Sequence, residues 1–86
     1  MILETLPKVH TDLDVLFYFL GQRVNIKAEK DELFAETACR FMTKMGFPNF
    51  YNLKFFYNSQ ELRPESGKTL SDYRIHNQSR IDVIDV

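Results

Sequence analysis

The residues able to do chemistry are few. There is one cysteine, Cys39, and there are two histidines, His10 and His76. A nucleophilic thiol needs exposure and a neighbouring base. Cys39 falls mid-way along a helical pattern beside its apolar stripe, and neither histidine shares a motif with it. Its expected role is therefore a small, partly buried packing residue. One cysteine and two histidines without ligand spacing make no metal site. The acidic pairs Asp12/Asp14 and Asp82/Asp85 sit in strand-like stretches and read as solvated strand positions. The expectation is no enzyme, no cofactor and no metal; binding is the chemistry that remains.

Composition narrows what is bound. The 86 residues suffice for one small domain, and 44% hydrophobic content with eight Phe and four Tyr supports a true core. A formal net charge of −1 gives no bulk electrostatic footprint for nucleic acid or an anionic membrane. No apolar run reaches membrane-span length, and the N-terminus lacks a signal-peptide core. The lone cysteine cannot form an internal disulfide, which points to a reducing compartment, cytoplasmic or nuclear.

The elements that would position a binding surface follow from periodicity. Residues 31–45 read as one amphipathic helix, with Phe34, Ala38, Phe41 and Met45 on a single stripe. Asp31 is the expected N-cap and Glu36–Arg40 the expected pair one turn apart. Gly46 suits the left-handed position that ends a helix, and Pro48 forbids continuation. Before the helix, 13–19 and 23–28 alternate as strands. A two-residue turn at Leu20-Gly21 would set Phe17 opposite Val24, Val15 opposite Ile26 and Leu13 opposite Ala28, every apolar partner on one face. After the helix, 46–52 reads as a loop and 53–57 as a third strand. Asn58-Ser59-Gln60 reads as a turn, 61–63 as a very short strand, 64–68 as a loop, 70–73 as a helical turn and 80–86 as a last strand. Residues 1–11, interrupted by Pro7, read as an arm or linker, and 12–86 as the domain. The fold class expected is α+β: a mixed sheet of four to five strands packed on one helix, the β-grasp architecture.

Specific motifs carry a resemblance. Thr69-Leu70-Ser71-Asp72-Tyr73, standing before a final strand, resembles ubiquitin. Gly21 is similar to ubiquitin's first-turn glycine, Gly46-Phe47-Pro48 to its post-helix Gly-Ile-Pro, and Leu62 to the leucine of its short fourth strand. Gly21-Gln22-Arg23 with Asn25-Ile26 is closer to the modifier SUMO. The resemblance spans about 13–86 and implies that the Tyr73 phenol bonds backbone in the fourth-strand region. It also implies a binding surface on the outer sheet face, at Leu20, Phe56 and Ile84, with Tyr18 enlarging it. Lys54 stands for a basic neighbour there, and Asp82 replaces a histidine, which should turn partner choice toward basic motifs. A second implied surface is the strand-addition groove beside the second strand, with Arg23 and Lys27 on its edge. Their simpler role is to block edge-to-edge aggregation.

The sequence also departs from conjugated relatives. Its glycines are at 21, 46 and 67, and it ends Asp85-Val86, with no Gly-Gly for an activating enzyme. The reading is a non-conjugated ubiquitin-like interaction domain, a monomer, part of a larger protein in a ubiquitin-related pathway. Its partner is a ubiquitin-receptor-like helix or an intramolecular domain. The alternatives are a covalent modifier lacking its Gly-Gly and a Ras-association-type module.

Overall fold

The first hairpin sets the register of everything else. In the computed structural model, which describes residues 12–47 and 52–86, β1 (Asp12–Phe19) pairs antiparallel with β2 (Gln22–Glu29). The pairing is Phe17 with Val24, Val15 with Ile26 and Leu13 with Ala28, as alternation and the two-residue turn require. Leu20 and Gly21 both have positive φ, +51° and +79°, the conformation that matches the twist of paired strands. The predicted arm at 1–11 and the Pro48 part of the predicted loop lie outside the described residues.

The helix α1 (Phe34–Met45) starts three residues later than its pattern suggests. Asp31 is not its N-cap. Leu33 holds that position in extended conformation with no side-chain cap bond. Long-range backbone contacts do the capping work. Phe34 N–H donates to the Lys68 carbonyl at 2.9 Å, and Leu33 bridges Thr69. The other end follows the sequence reading. Gly46 (φ +83°) donates to the Met42 and Thr43 carbonyls, and Phe47 N–H donates to Met42 at 2.9 Å, which satisfies carbonyls the helix leaves open.

Strand β3 (Leu53–Tyr57) turns through Asn58 and Ser59, both at positive φ, into β4 (Gln60–Leu62). A two-residue turn lets the chain resume pairing at Gln60, one residue earlier than expected. A short 3₁₀ turn, Pro64–Ser66, occupies part of the expected loop. Next comes the Thr69–Asp72 segment. Asp72 Oδ2 accepts from Thr69 N–H at 2.9 Å, and Thr69 Oγ1 accepts from Asp72 N–H at 3.0 Å, a reciprocal cap on the helical turn. The Tyr73 hydroxyl accepts from Arg63 N–H at 3.1 Å and lies 3.0 Å from Ser66 Oγ. It pins the crossover to the end of β4, as the resemblance implies.

The last strand, β5 (Arg80–Asp85), runs parallel to β1 and antiparallel to β3, giving the order β2-β1-β5-β3-β4. Its entry is fixed on β1 by Leu16 N–H to Ser79 O (2.9 Å) and Asp14 N–H to Asn77 Oδ1 (2.8 Å). One sheet face covers the helix. Phe17, Phe34, Phe41 and Phe55 are fully buried between them, with Phe17 and Phe41 stacked at 4.6 Å and Phe55 edge-on to Phe17, Phe34 and Phe41. This is an α+β, β-grasp arrangement, and its second sheet face is left looking outward.

Candidate interaction surface

Pairing alone places the outward side chains. Tyr18 is opposite Arg23 on β2 and Asp82 on β5, Asp82 is opposite Phe56 on β3, and Phe56 is opposite Glu61 on β4. Directly paired residues share a face, so Arg23, Tyr18, Asp82, Phe56 and Glu61 form one row across the outer sheet. The next row has Lys54 opposite Ile84. Leu20 sits in the turn after β1, two residues beyond Tyr18, whose pairing with Asp82 is the last of the parallel β1–β5 register. Of the residues expected to form a surface, Lys54, Phe56, Asp82 and Ile84 lie in two adjacent rows, and Leu20 lies in the turn that follows β1. Leu20 is 80% exposed and Ile84 49%; Phe56 is half-buried.

Asp82 has a charged partner on its own strand. Arg80 is two residues before it on the same face. Its Nε donates to Asp82 Oδ1 at 2.9 Å, and its guanidinium stacks over the Tyr18 ring, 4.1 Å from the centroid. Asp82 is therefore half of a neutral pair rather than an unopposed carboxylate. Lys54 makes no ion pair among the described residues. The signal for this arrangement is the two-residue spacing of Arg80 and Asp82 on one strand face.

An open groove of about 450 Å³ lies between β2 and α1, and its lining includes Ile26, Lys27, Cys39, Arg40 and Lys44. Lys27 thus lies at the groove edge where it was expected, while its ammonium is paired with Asp14, 2.9 Å away on the paired strand. Arg23 stands on the outer face opposite Tyr18. Arg40 does not pair with Glu36 one turn earlier. It binds the Glu32 carboxylate, which also accepts from the Thr37 hydroxyl, and it donates to the Lys27 carbonyl at 2.8 Å. Thr37 is fully buried, and a hydroxyl there needs the partner that Glu32 supplies. Cys39 is exposed rather than partly buried, because it lies one position beyond the buried Ala38 on the groove side of the helix. Among the described residues no group of three His, Cys, Asp or Glu side chains could hold a metal ion, and no helix is long and apolar enough to cross a membrane.

No protein-family model and no curated protein matches the chain. Solved structures do. The ubiquitin-like domain of the Arabidopsis thaliana protein At2g32350 superposes with a TM-score of 0.79, over 99% of this chain and 88% of that one, at 15% identity. The fold is ubiquitin-like. The N-terminal ubiquitin-like domain of the 4931431F19Rik protein gives 0.74, covering 88% of this chain and 76% of that one at 13% identity. A designed protein based on ubiquitin gives 0.75, covering 87% and 89% at 21% identity. With identities this low, what is shared with the ubiquitin-like domains is the backbone plan.

Proposed function

We propose that this ubiquitin-like domain is a protein-interaction module whose working surface is the outer sheet face at Leu20, Phe56 and Ile84. The observation that carries the reading is Leu20. Its side chain is 80% exposed and its backbone is left-handed, at φ +51°. The first central position of such a turn suits Asn, Asp or Gly. A non-glycine residue in this region costs roughly 1 kcal/mol, and Asn bears it best. Leucine is thus a poor choice for the turn and for solvation, and local strain of this kind is found at binding positions. Ile84 on β5 and Phe56 on β3 would extend the apolar surface across the outer face.

The partner is an amphipathic helix or an equivalent face of another domain. With Asp82 neutralised by Arg80, the charge left at the rim beside Ile84 is Lys54, so an acidic flank on the partner is favoured over a basic one. The surface is small, and a Kd on the order of 100 µM, about −5.5 kcal/mol, suits a transient contact. The test is an NMR titration with an amphipathic ubiquitin-binding helical peptide in acidic-flanked and basic-flanked forms. Shifts should cluster on Leu20, Lys54, Phe56 and Ile84 and be stronger with the acidic form. Leu20→Asn should raise the melting temperature and weaken binding at once. Retained affinity in Leu20→Asn, or shifts confined to the groove between β2 and α1, would remove the outer face from consideration.

A further inference from the structure

Strand β2 is an edge of the sheet among the described residues, and edges invite pairing with another chain. In an antiparallel ladder, alternate residues turn both backbone groups toward the neighbouring strand and the others turn both away. Lys27 O and Glu29 N–H are reached by side chains from outside the sheet, so they belong to the set facing away, together with the backbone groups of Arg23 and Asn25. Arg40 takes the Lys27 carbonyl at 2.8 Å, and Glu32 Oε1 takes the Glu29 N–H at 3.0 Å. Arg40 and Glu32 are themselves joined as an ion pair, and the buried Thr37 hydroxyl fixes the Glu32 carboxylate from below.

We propose that Glu32 and Arg40 form a guard that keeps the β2 edge from pairing, and that the occupant it excludes is the β2 strand of a second copy of this chain. The complementarity of β2 with itself names that occupant. Antiparallel pairing about a two-fold axis at Ile26 sets Arg23 opposite the second copy's Glu29, and Asn25 opposite its Lys27. Opposite charges meet, and like charges do not. Each of those facing pairs exchanges two hydrogen bonds. The Asn25–Lys27 exchange needs the Lys27 carbonyl that Arg40 holds. The Arg23–Glu29 exchange needs the Glu29 amide that Glu32 holds, and the Glu29 carbonyl, which already accepts from Glu32 N–H at 3.1 Å. The guard therefore takes at least one bond from each exchanged pair, on both copies.

The experiment compares the full chain with Glu32→Gln, Arg40→Ala and the double substitution, using sedimentation velocity over a concentration series and amide exchange. The wild type is expected to sediment as a monomer. Arg40→Ala should raise the self-association constant by about tenfold or more, and Glu29 amide exchange in dilute monomer should quicken by a similar factor. At high concentration, protection should appear at Arg23 and Asn25. Adding Asn25→Pro, which deletes an edge-facing N–H, should return the Arg40→Ala chain to monomer. Glu32→Gln, which keeps an acceptor for the Glu29 amide and leaves Arg40 beside the Lys27 carbonyl, should stay closest to the monomeric parent. Should Arg40→Ala unfold, Arg40→Met keeps the aliphatic stem while removing the donor on the Lys27 carbonyl, and its self-association is read in the same way. Folded Arg40 variants that stay monomeric at the highest concentration reached would overturn the proposal. So would a dimer that survives Asn25→Pro, or a wild type that already pairs through β2.

Discussion

Phe41→Ala removes the ring at the centre of the helix–sheet contact. Phe41 is fully buried, stacked on Phe17 at 4.6 Å with 12° between planes, and edge-on to Phe19 and Phe55 at 6.4 and 6.3 Å. Three ring partners on two strands hold it, so the site has little freedom to collapse after truncation. The loss should be about 3–5 kcal/mol, including roughly 0.5–1.5 kcal/mol for the lost stacking. At ~0.05–0.15 kcal/mol per residue the whole domain holds about 4–13 kcal/mol. With a urea m-value of about 1–1.5 kcal/mol/M, the unfolding midpoint should fall by roughly 3 M, measured by circular dichroism. Met45→Ala is the control. It lies on the same stripe at the helix end, is half-buried, and should cost only about 1 kcal/mol. A Phe41→Ala loss below about 1 kcal/mol, or one no larger than that of Met45→Ala, would refute the account of the core.

Tyr73→Phe leaves the Arg63 N–H without its 3.1 Å acceptor, so stability should drop by about 1–2 kcal/mol and the Arg63 amide should exchange faster, both readable by thermal melt and NMR. Gly46→Ala forces a side chain into φ +83° at the helix end and should cost about 1 kcal/mol by urea titration, although open space surrounds the added methyl. Cys39 is exposed on the groove side of α1, so a thiol reagent should label the native protein completely. Cys39→Ser should leave the melt within about 0.5 kcal/mol of the parent. Slow labelling that tracks global unfolding would contradict the placement of Cys39.

What was legible in the sequence was whatever is settled by near neighbours or by a repeating period. Val15, Phe17, Val24 and Ile26 announce the first hairpin because alternation and a two-residue turn leave only one register with all of them inside. Gly46 announces the helix end because few other residues tolerate its backbone. The outer-face positions Leu20, Phe56 and Ile84 are what the resemblance to ubiquitin implies; alternation alone says only which residues of a strand share a face. The helix start was not legible. The first free amide of α1 is taken by Lys68, a residue distant in sequence, so the cap that spacing gives to Asp31 is supplied by tertiary structure instead. Helical spacing pairs Arg40 with Glu36, yet Glu32, which precedes the helix and follows no helical geometry, holds it. The resemblance at Asp82 carries no partner for it; the Arg80 pair comes from the strand's own two-residue repeat and is anchored by a ring on a different strand. Cys39 lies beside the apolar stripe as helical spacing places it, but that single step past the buried Ala38 exposes it where partial burial is expected.

The two surfaces of this sheet are governed by different kinds of contact, and that makes them separable by experiment. The outer face depends on strand order and on the Leu20 turn; none of its side chains contacts Glu32 or Arg40 in a described bond or ion pair. The β2 edge depends on the loop before α1 and on the helix face, through Glu32, Thr37 and Arg40. A substitution at Leu20 should therefore alter binding without altering self-association, and one at Arg40 should do the reverse. In a double-mutant cycle the Leu20→Asn and Arg40→Ala effects on stability should add within about 0.5 kcal/mol, as distant sites without shared partners do. A larger coupling would mean that the first turn and the guard communicate along β2, and that the outer face and the edge form one surface.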